Sequence, residues 1–164
     1  MERETRVGMG YDAHRFAVAE DGRPLMLAGV RIPHERGLAG HSDADVALHA
    51  VVDALLGAAA LGDIGAFFPS SDERWRGAAS SAFVAAAVAA LAGEGWSVVN
   101  VDVTIVAERP RLSPHVAAMR ASLAGLLGIA SERVSVKSKT SDGMGFTGRE
   151  EGMACYAVAL IARG

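Results

Sequence analysis

Three side chains, Asp12, His14 and His49, have the types and spacing to hold a metal ion. Asp12 and His14 stand two apart in Arg6–Phe16, which reads as a first strand, so they project from the same face. His49 lies in His41–His49, HSDADVALH, which reads as a helix start. Ser42 is the expected N-cap, and Asp45, three residues on, closes a capping box. Ala47, Leu48, Val51, Val52, Leu55 and Leu56 follow as an apolar stripe, with Asp45, His49 and Asp53 along another side. An Asp–His–His set leaves a fourth tetrahedral position open, the pattern of catalytic zinc. Such an ion acts as a Lewis acid on a phosphoryl or carbonyl oxygen. His41 stands at the expected helix mouth, where backbone N–H groups and the macrodipole favour an anion. A surface Asp-x-His pair is the plainer reading of Asp12 and His14, and His34 and His115 in proline-bounded loops are competing ligands. Spacing alone does not bring these segments together.

A second cation has a candidate ligand in Asp142, inside Lys139-Thr140-Ser141-Asp142-Gly143. Magnesium takes one or two carboxylates plus phosphate oxygens, and Lys139 adds a charge for phosphate. The same Ser-Asp-Gly run also reads as an ordinary Asx turn.

The elements that must position these groups follow from periodicity and breakers. Leu25–Ile32 reads as a second strand ended by Pro33, paired with or beside the first. The helix after His41 runs to about Leu61 and stops at Gly62. Gly62–Gly77 reads as a long functional loop. Ser80 or Ser81 caps an alanine-rich helix, Ala82–Ala92, closed by Gly93 and Gly95. In Trp96–Glu108, Val101, Val103 and Ile105 alternate with Asn100, Asp102 and Thr104, a clear strand. Ser113-Pro114 opens a third helix, Val116–Leu127, closed by Gly128. Val134–Lys139 is a strand, Thr140–Gly152 a glycine-rich loop, and Met153–Ala162 a final apolar strand. The order β β α α β α β β predicts an α+β fold: a mixed sheet with helices packed on one face, an α/β sandwich.

Composition narrows the class. The 164 residues suit a single domain, residues 1–164. Half of them are apolar, few are aromatic and many are small, which favours close helix–sheet or subunit contacts. A net charge of −3 with scattered Lys and Arg argues against nucleic acid. One cysteine, Cys155 in an apolar run, excludes an internal disulfide and reads as buried packing. No apolar run reaches the ~20 residues of a membrane span, and the charged N-terminus lacks a signal-peptide core. A soluble cytoplasmic protein is the expectation.

Several segments together resemble one family. Tyr11–Phe16 within GYDAHRF, His41–Gly65, Phe67–Pro69, Val101–His115 and Gly145–Cys155 are similar, in order and over nearly the whole chain, to the 2-C-methyl-D-erythritol 2,4-cyclodiphosphate synthases. The resemblance implies conversion of a CDP-linked methylerythritol 2-phosphate into a cyclic diphosphate and CMP, in the non-mevalonate isoprenoid pathway. It implies a homotrimer with sheets facing the threefold axis and active sites between subunits. Asp12, His14 and His49 fall on the family's zinc ligands, and Asp12, Ala13 and His14 border the substrate. His41 and Ser42 fall beside the substrate phosphates, and Thr140 on the threonine that helps hold the reacting phosphate, so His41 and Thr140 are the catalytic candidates. Asp63, Ile64 and Gly65 fall on the mobile loop over methylerythritol, continued by Phe68, Pro69, Ser70, Ser71 and Asp72. Ala107, Glu108, Arg109, Pro110, Arg111, Leu112 and Ser113 match the cytosine wall. Lys139, Thr140, Ser141 and Asp142 match the neighbouring segment that holds the diphosphate and its magnesium or manganese.

Four positions depart from the common pattern: Ser70 replaces a carboxylate, Ala44 a glycine, Arg111 a lysine, and Asp142 a glutamate one methylene longer. Two alternatives remain beside the synthase: a zinc-dependent phosphohydrolase using the same triad, and a trimeric module binding an isoprenoid diphosphate in an axial cavity. Phe146 and Arg149 suit the latter as apolar wall and anion partner, although Arg149 with Glu151 also reads as an intersubunit ion pair.

Overall fold

The computed structural model describes residues 3–164. Four strands form a mixed sheet: β1 (Glu4–Arg15), β6 (Gly152–Arg163), β4 (Ser97–Val106) and β5 (Val134–Lys139), adjacent in that order. β6 runs antiparallel to both β1 and β4, and β4 is parallel to β5. The parallel pair needs a crossover, which α4 (Val116–Leu127) supplies; Gly128 closes α4 at φ 66°. With α1 (Val46–Ala58) and α3 (Ser81–Gly93), it covers one face of the sheet. The predicted α+β sandwich and the ranges of α4 and β5 agree with the fold; α3 extends one residue past each expected end.

The sheet and α1 meet through small residues. α1 is buried on almost every side, with only Asp53 and Gly57 outside the buried set, so the expected apolar stripe is nearly a full circumference. On β1, Gly8 and Gly10 share the face of Asp12 and His14. A Cβ at Gly8 would lie 2.1 Å from the Ala54 carbonyl oxygen, and one at Gly10 1.8 Å from that of Ala50. These glycines are the floor on which the helix rests, which sets His49 at the height of Asp12 and His14. Gly10→Ala forces backbone apart, so it is expected to destabilise by about 3 kcal/mol or more, read as a lowered urea midpoint.

Several expectations change. Leu25–Ile32 is not one strand but a hairpin, β2 (Leu25–Leu27) and β3 (Val30–Ile32), and β1 pairs with β6 instead. Its two-residue turn places Ala28 at φ 52° and Gly29 at φ 77°, as a tight hairpin requires. The Asp45 carboxylate takes both turn N–H groups, from Ala28 at 2.9 Å and Gly29 at 2.7 Å. Asp45, not Ser42, is therefore the cap: α1 starts at Val46, and Asp45 also accepts from Leu48 N–H at 3.0 Å. The expected capping box does not form, because Ala44 at φ 57° interrupts any helical path from Ser42. That left-handed geometry suits the glycine common at this position in the resembling family.

Two loops also carry short helices. Gly62–Gly77 contains α2 (Ile64–Phe67) and a 3-10 turn, Glu73–Trp75; Thr140–Gly152 contains α5 (Gly145–Gly148). α1 ends at Ala58 rather than Leu61. Cys155 is buried, as expected, and burial pushes its thiol well up. Among the described residues, no helix is long and apolar enough to cross a membrane.

Candidate active site

Asp12 and His14 project from the end of β1 toward α1, and His49 meets them from one turn inside that helix. His14 Nε2 lies 2.8 Å from Asp12 Oδ2, His49 Nδ1 lies 3.1 Å from the same oxygen, and the two imidazole nitrogens are 3.2 Å apart. These are the three side chains that the sequence offered as a ligand set, and they converge. A tetrahedral zinc with bonds of about 2.0–2.1 Å sets ligand atoms roughly 3.3 Å apart, so the donor triangle has the right size and types. His14 Nδ1–H donates to the Ala39 carbonyl at 2.8 Å, which leaves Nε2 facing the cluster with its lone pair. A lone pair turned toward a carboxylate calls for a cation between them.

Burial raises the Asp12 carboxyl, but the hydrogen bonds and charges of His14 and His49 outweigh it and hold Asp12 at about 2. Burial lowers His14, yet Asp12 wins and keeps it above the ordinary imidazole value, so a metal ion taken up here displaces a proton from His14. A carboxylate that stays ionised at neutral pH is in ligand form.

The cluster floors a cavity of about 270 Å³, which His41, Ser42, Ile64, Gly65, Phe68 and Ser70 share. Phe68, Trp75 and Phe83 form its apolar side: Phe68 stacks on Phe83 at 4.5 Å, and Trp75 stands edge-on to both. Asp53, whose carboxyl burial raises, accepts the Ile64 N–H at 2.8 Å and so ties α2 to α1. His41 sits on the rim rather than at a helix mouth. Its Nε2–H donates to the Asp72 carbonyl at 3.2 Å, and the α1 N-terminus is occupied by Asp45. Any anion at His41 thus meets an imidazole and loop backbone, not free helix N–H groups.

Other candidates lie elsewhere. Ala13 alternates to the opposite sheet face and borders a cavity of about 710 Å³ with Phe146 and Glu151. Arg149 pairs with Glu151 of its own chain at 3.1 Å. The Asp63 carboxylate caps α2, and that of Asp72 is held by Arg74. Pro69 and Ser71 are exposed on the loop between. His34 packs beside Phe16, and neither it nor His115 joins the metal cluster.

The Ala107–Ser113 segment and the Thr140 turn gather at a separate cavity of about 390 Å³, lined by Ala107, Pro110, Arg111, Leu112, Lys139 and Thr140. Arg109 is exposed and pairs with Glu150 at 3.3 Å. The Glu108 carboxylate accepts from Ser141 N–H at 2.8 Å and Gly143 N–H at 3.4 Å, pinning the turn that carries Asp142 at φ 53°. β1, β4 and β5 point the same way, so both cavities lie at one end of the sheet. They sit at its opposite edges, three strand spacings or roughly 14 Å apart.

Sequence reasoning placed Ser80 only as a possible helix cap and missed that its fully buried hydroxyl lies 2.8 Å from His49 Nε2; it missed Arg23, whose guanidinium donates to the carbonyls of Gly40 and Ser42. A serine before a helix reads as a cap, and a lone arginine beside a turn as surface. Neither type nor spacing marks them.

An Asp–His–His cluster able to hold a metal ion thus stands at the end of a strand, below an aromatic-walled cavity in an α+β fold. Residues 5–162 match the YgbB family, and the chain belongs to it. It is 58% identical over 156 residues to the 2-C-methyl-D-erythritol 2,4-cyclodiphosphate synthase of Symbiobacterium thermophilum, covering 95% of this chain and 98% of that one. Among solved structures it is similar to the bifunctional IspDF of Campylobacter jejuni, with a TM-score of 0.94 and 37% identity over 99% of this chain and 43% of that longer one. It is also similar to IspF of Plasmodium falciparum in complex with CDP, with a TM-score of 0.84 and 29% identity over 99% of both chains. The resemblance drawn from the motifs is borne out.

Proposed function

We infer that the chain is a 2-C-methyl-D-erythritol 2,4-cyclodiphosphate synthase acting in non-mevalonate isoprenoid biosynthesis. Its substrate is 4-diphosphocytidyl-2-C-methyl-D-erythritol 2-phosphate. A 2-phosphate oxygen attacks the β-phosphorus, the bond from that phosphorus to the oxygen bridging the α-phosphorus breaks, and CMP leaves with the electron pair. The observation that carries this reading is the convergence of Asp12, His14 and His49 at 2.8–3.2 Å in the cavity bordered by Ile64, Gly65 and Phe68.

No protein nucleophile is needed, so the side chains bind, orient and exclude water. Asp12, His14 and His49 would hold zinc, which when bound supplies Lewis-acid polarisation of a phosphate oxygen. Asp142, exposed on a turn, suits magnesium or manganese only together with substrate phosphates, where such an ion supplies charge neutralisation. His41 and Ser42 border the reacting phosphate, and Thr140 and Lys139 hold the diphosphate. Ala107–Ser113 receives cytosine. Asp63, Ile64, Gly65 and Phe68–Asp72 cover the methylerythritol. Folding a flexible substrate into a ring is entropically costly, and well-oriented enclosure contributes up to ~7–11 kcal/mol.

One copy does not complete this site, because its two cavities lie on opposite sheet edges. The uncovered sheet face supports a homotrimer with that face toward the axis: Val7 and Met9 are 66% and 65% exposed, with Tyr11, Tyr156 and Val158 beside them. Neighbouring edges then bring the metal cluster of one copy to the Thr140 turn of the next. The cavity at Phe146, with Arg149 near, is an axial place for an isoprenoid diphosphate. The enzyme is cytoplasmic on this reading and the unit is one domain.

Phosphorus NMR of the substrate incubated with protein, zinc and magnesium tests the activity. Equal amounts of CMP and the cyclic diphosphate are expected. An opened phosphate product would instead mark a phosphohydrolase, and binding of isoprenoid diphosphate without turnover a binding module.

A further inference from the structure

His49 offers Nδ1 to the metal cluster, and its other nitrogen runs into the interior. There it meets Ser80, the residue before α3. Ser80 stands at the N-cap position, yet its side chain caps no helix N–H, although such a bond is commonly worth ~1 kcal/mol. The hydroxyl is diverted: its oxygen lies 2.8 Å from His49 Nε2, and its proton goes to the Asp43 carboxylate. Asp43 is itself held by the Ser80 N–H at 3.1 Å and the Asp45 N–H at 3.2 Å.

Donor and acceptor counts give this chain a direction. An ionised carboxylate has no proton to offer, so the single Ser80 proton is committed to Asp43. Toward His49, Ser80 then only accepts. His49 Nε2 must carry the hydrogen, and Nδ1 keeps its lone pair toward Asp12 and His14. Ser42 Oγ, 3.2 Å from the same Nε2, is a second and longer acceptor, and it takes the Ala44 N–H as well.

We propose that Asp43 and Ser80 are positioning residues that fix the His49 tautomer for metal binding. The proposal rests on the metal-centre reading above. A histidine ligand whose second nitrogen donates to such a partner binds metal more tightly, and losing the partner typically lowers affinity 10- to 100-fold. Ser80→Ala removes the acceptor. Asp43→Asn keeps the shape of a half-exposed residue but spoils the polarity. Its two oxygens now take N–H and O–H donors on both sides, so an amide must aim its NH₂ at one of them, either at the Ser80 N–H or at the Ser80 hydroxyl. In the first case the hydroxyl keeps only a neutral amide oxygen, a weaker acceptor than the carboxylate, beside an N–H facing an N–H; in the second it turns and donates to His49 Nε2, which puts the hydrogen on Nδ1, where no metal can bind.

The test is zinc titration of the metal-free protein against a competing chelator, with nitrogen NMR of the His49 imidazole at pH 8 and thermal unfolding as the fold check. Both variants are expected to bind zinc about 10- to 100-fold more weakly, with the His49 nitrogen shifts moving away from the Nε2–H form. Folded variants with wild-type zinc affinity, or with unchanged nitrogen shifts, overturn the relay. A wild-type protein that takes up no zinc overturns the metal centre itself and the relay with it. Should Ser80→Ala fail to fold, Asp43→Asn decides alone.

Discussion

His49→Ala is expected to abolish zinc uptake and to lower turnover by at least about 10³-fold, since Lewis-acid charge stabilisation is worth several kcal/mol and each 1.36 kcal/mol is tenfold in rate. Two ligands remain, Asp12 and His14, and both come from β1. Two donors on one strand do not enclose an ion, and the third from the helix closes the set. The residue is 8% exposed and its ring packs near Phe83 at 5.9 Å, so its loss also opens a small cavity, with a stability cost of about 1–3 kcal/mol. That cost is separable from the loss of activity: the variant should remain folded at 25 °C while zinc content and CMP release fall together. Near-normal turnover in a zinc-free variant would sink the assignment of this cluster to the reaction.

Mixing two inactive variants is expected to restore activity. His49→Ala damages the cluster at one sheet edge, and Thr140→Ala damages the turn at the other. If a site is built from the cluster of one copy and the turn of its neighbour, every mixed trimer holds one interface at which both parts are intact. Random reassembly of equal amounts should return about a quarter of wild-type activity, from three-quarters of trimers being mixed and one site in three being whole. Each variant alone stays inactive. Failure of the mixture to gain activity, with subunit exchange verified by mass, would place both halves in one chain and overturn the shared site.

Much of the site was legible because its local part is governed by short periods. A strand has a period of two, so Asp-x-His on β1 already meant two donors on one face. The register of β1 puts Gly8 and Gly10 on that same face, but their role as a seat for α1 was not visible. Glycine in a strand reads as weakness until the opposing helix is known. The hairpin at Ala28-Gly29 was missed for a related reason. The pair lacks the Asn-Gly or Asp-Gly signature, and its left-handed turn is held by Asp45, 16 and 17 residues along the chain. Placing Asp45 there also moved the helix start and removed the free N–H groups assigned to His41.

The residue types that can bind metal, the parity that sets Asp12 beside His14, the apolar helix carrying His49, and the motif order that marks the family were all readable from the chain of residues. These depend on neighbours within a turn or two, where backbone geometry is nearly invariant. It took the folded molecule to reveal that β1 pairs with β6, that α1 lies on a glycine floor, and that His49 reaches Asp12 across 37 residues. It alone showed Ser80 turned from its helix toward His49, and the two cavities set at opposite edges of one sheet. Those outcomes rest on close packing between distant segments. A missing Cβ or the single proton of a buried hydroxyl selects one arrangement there, and no local period encodes it.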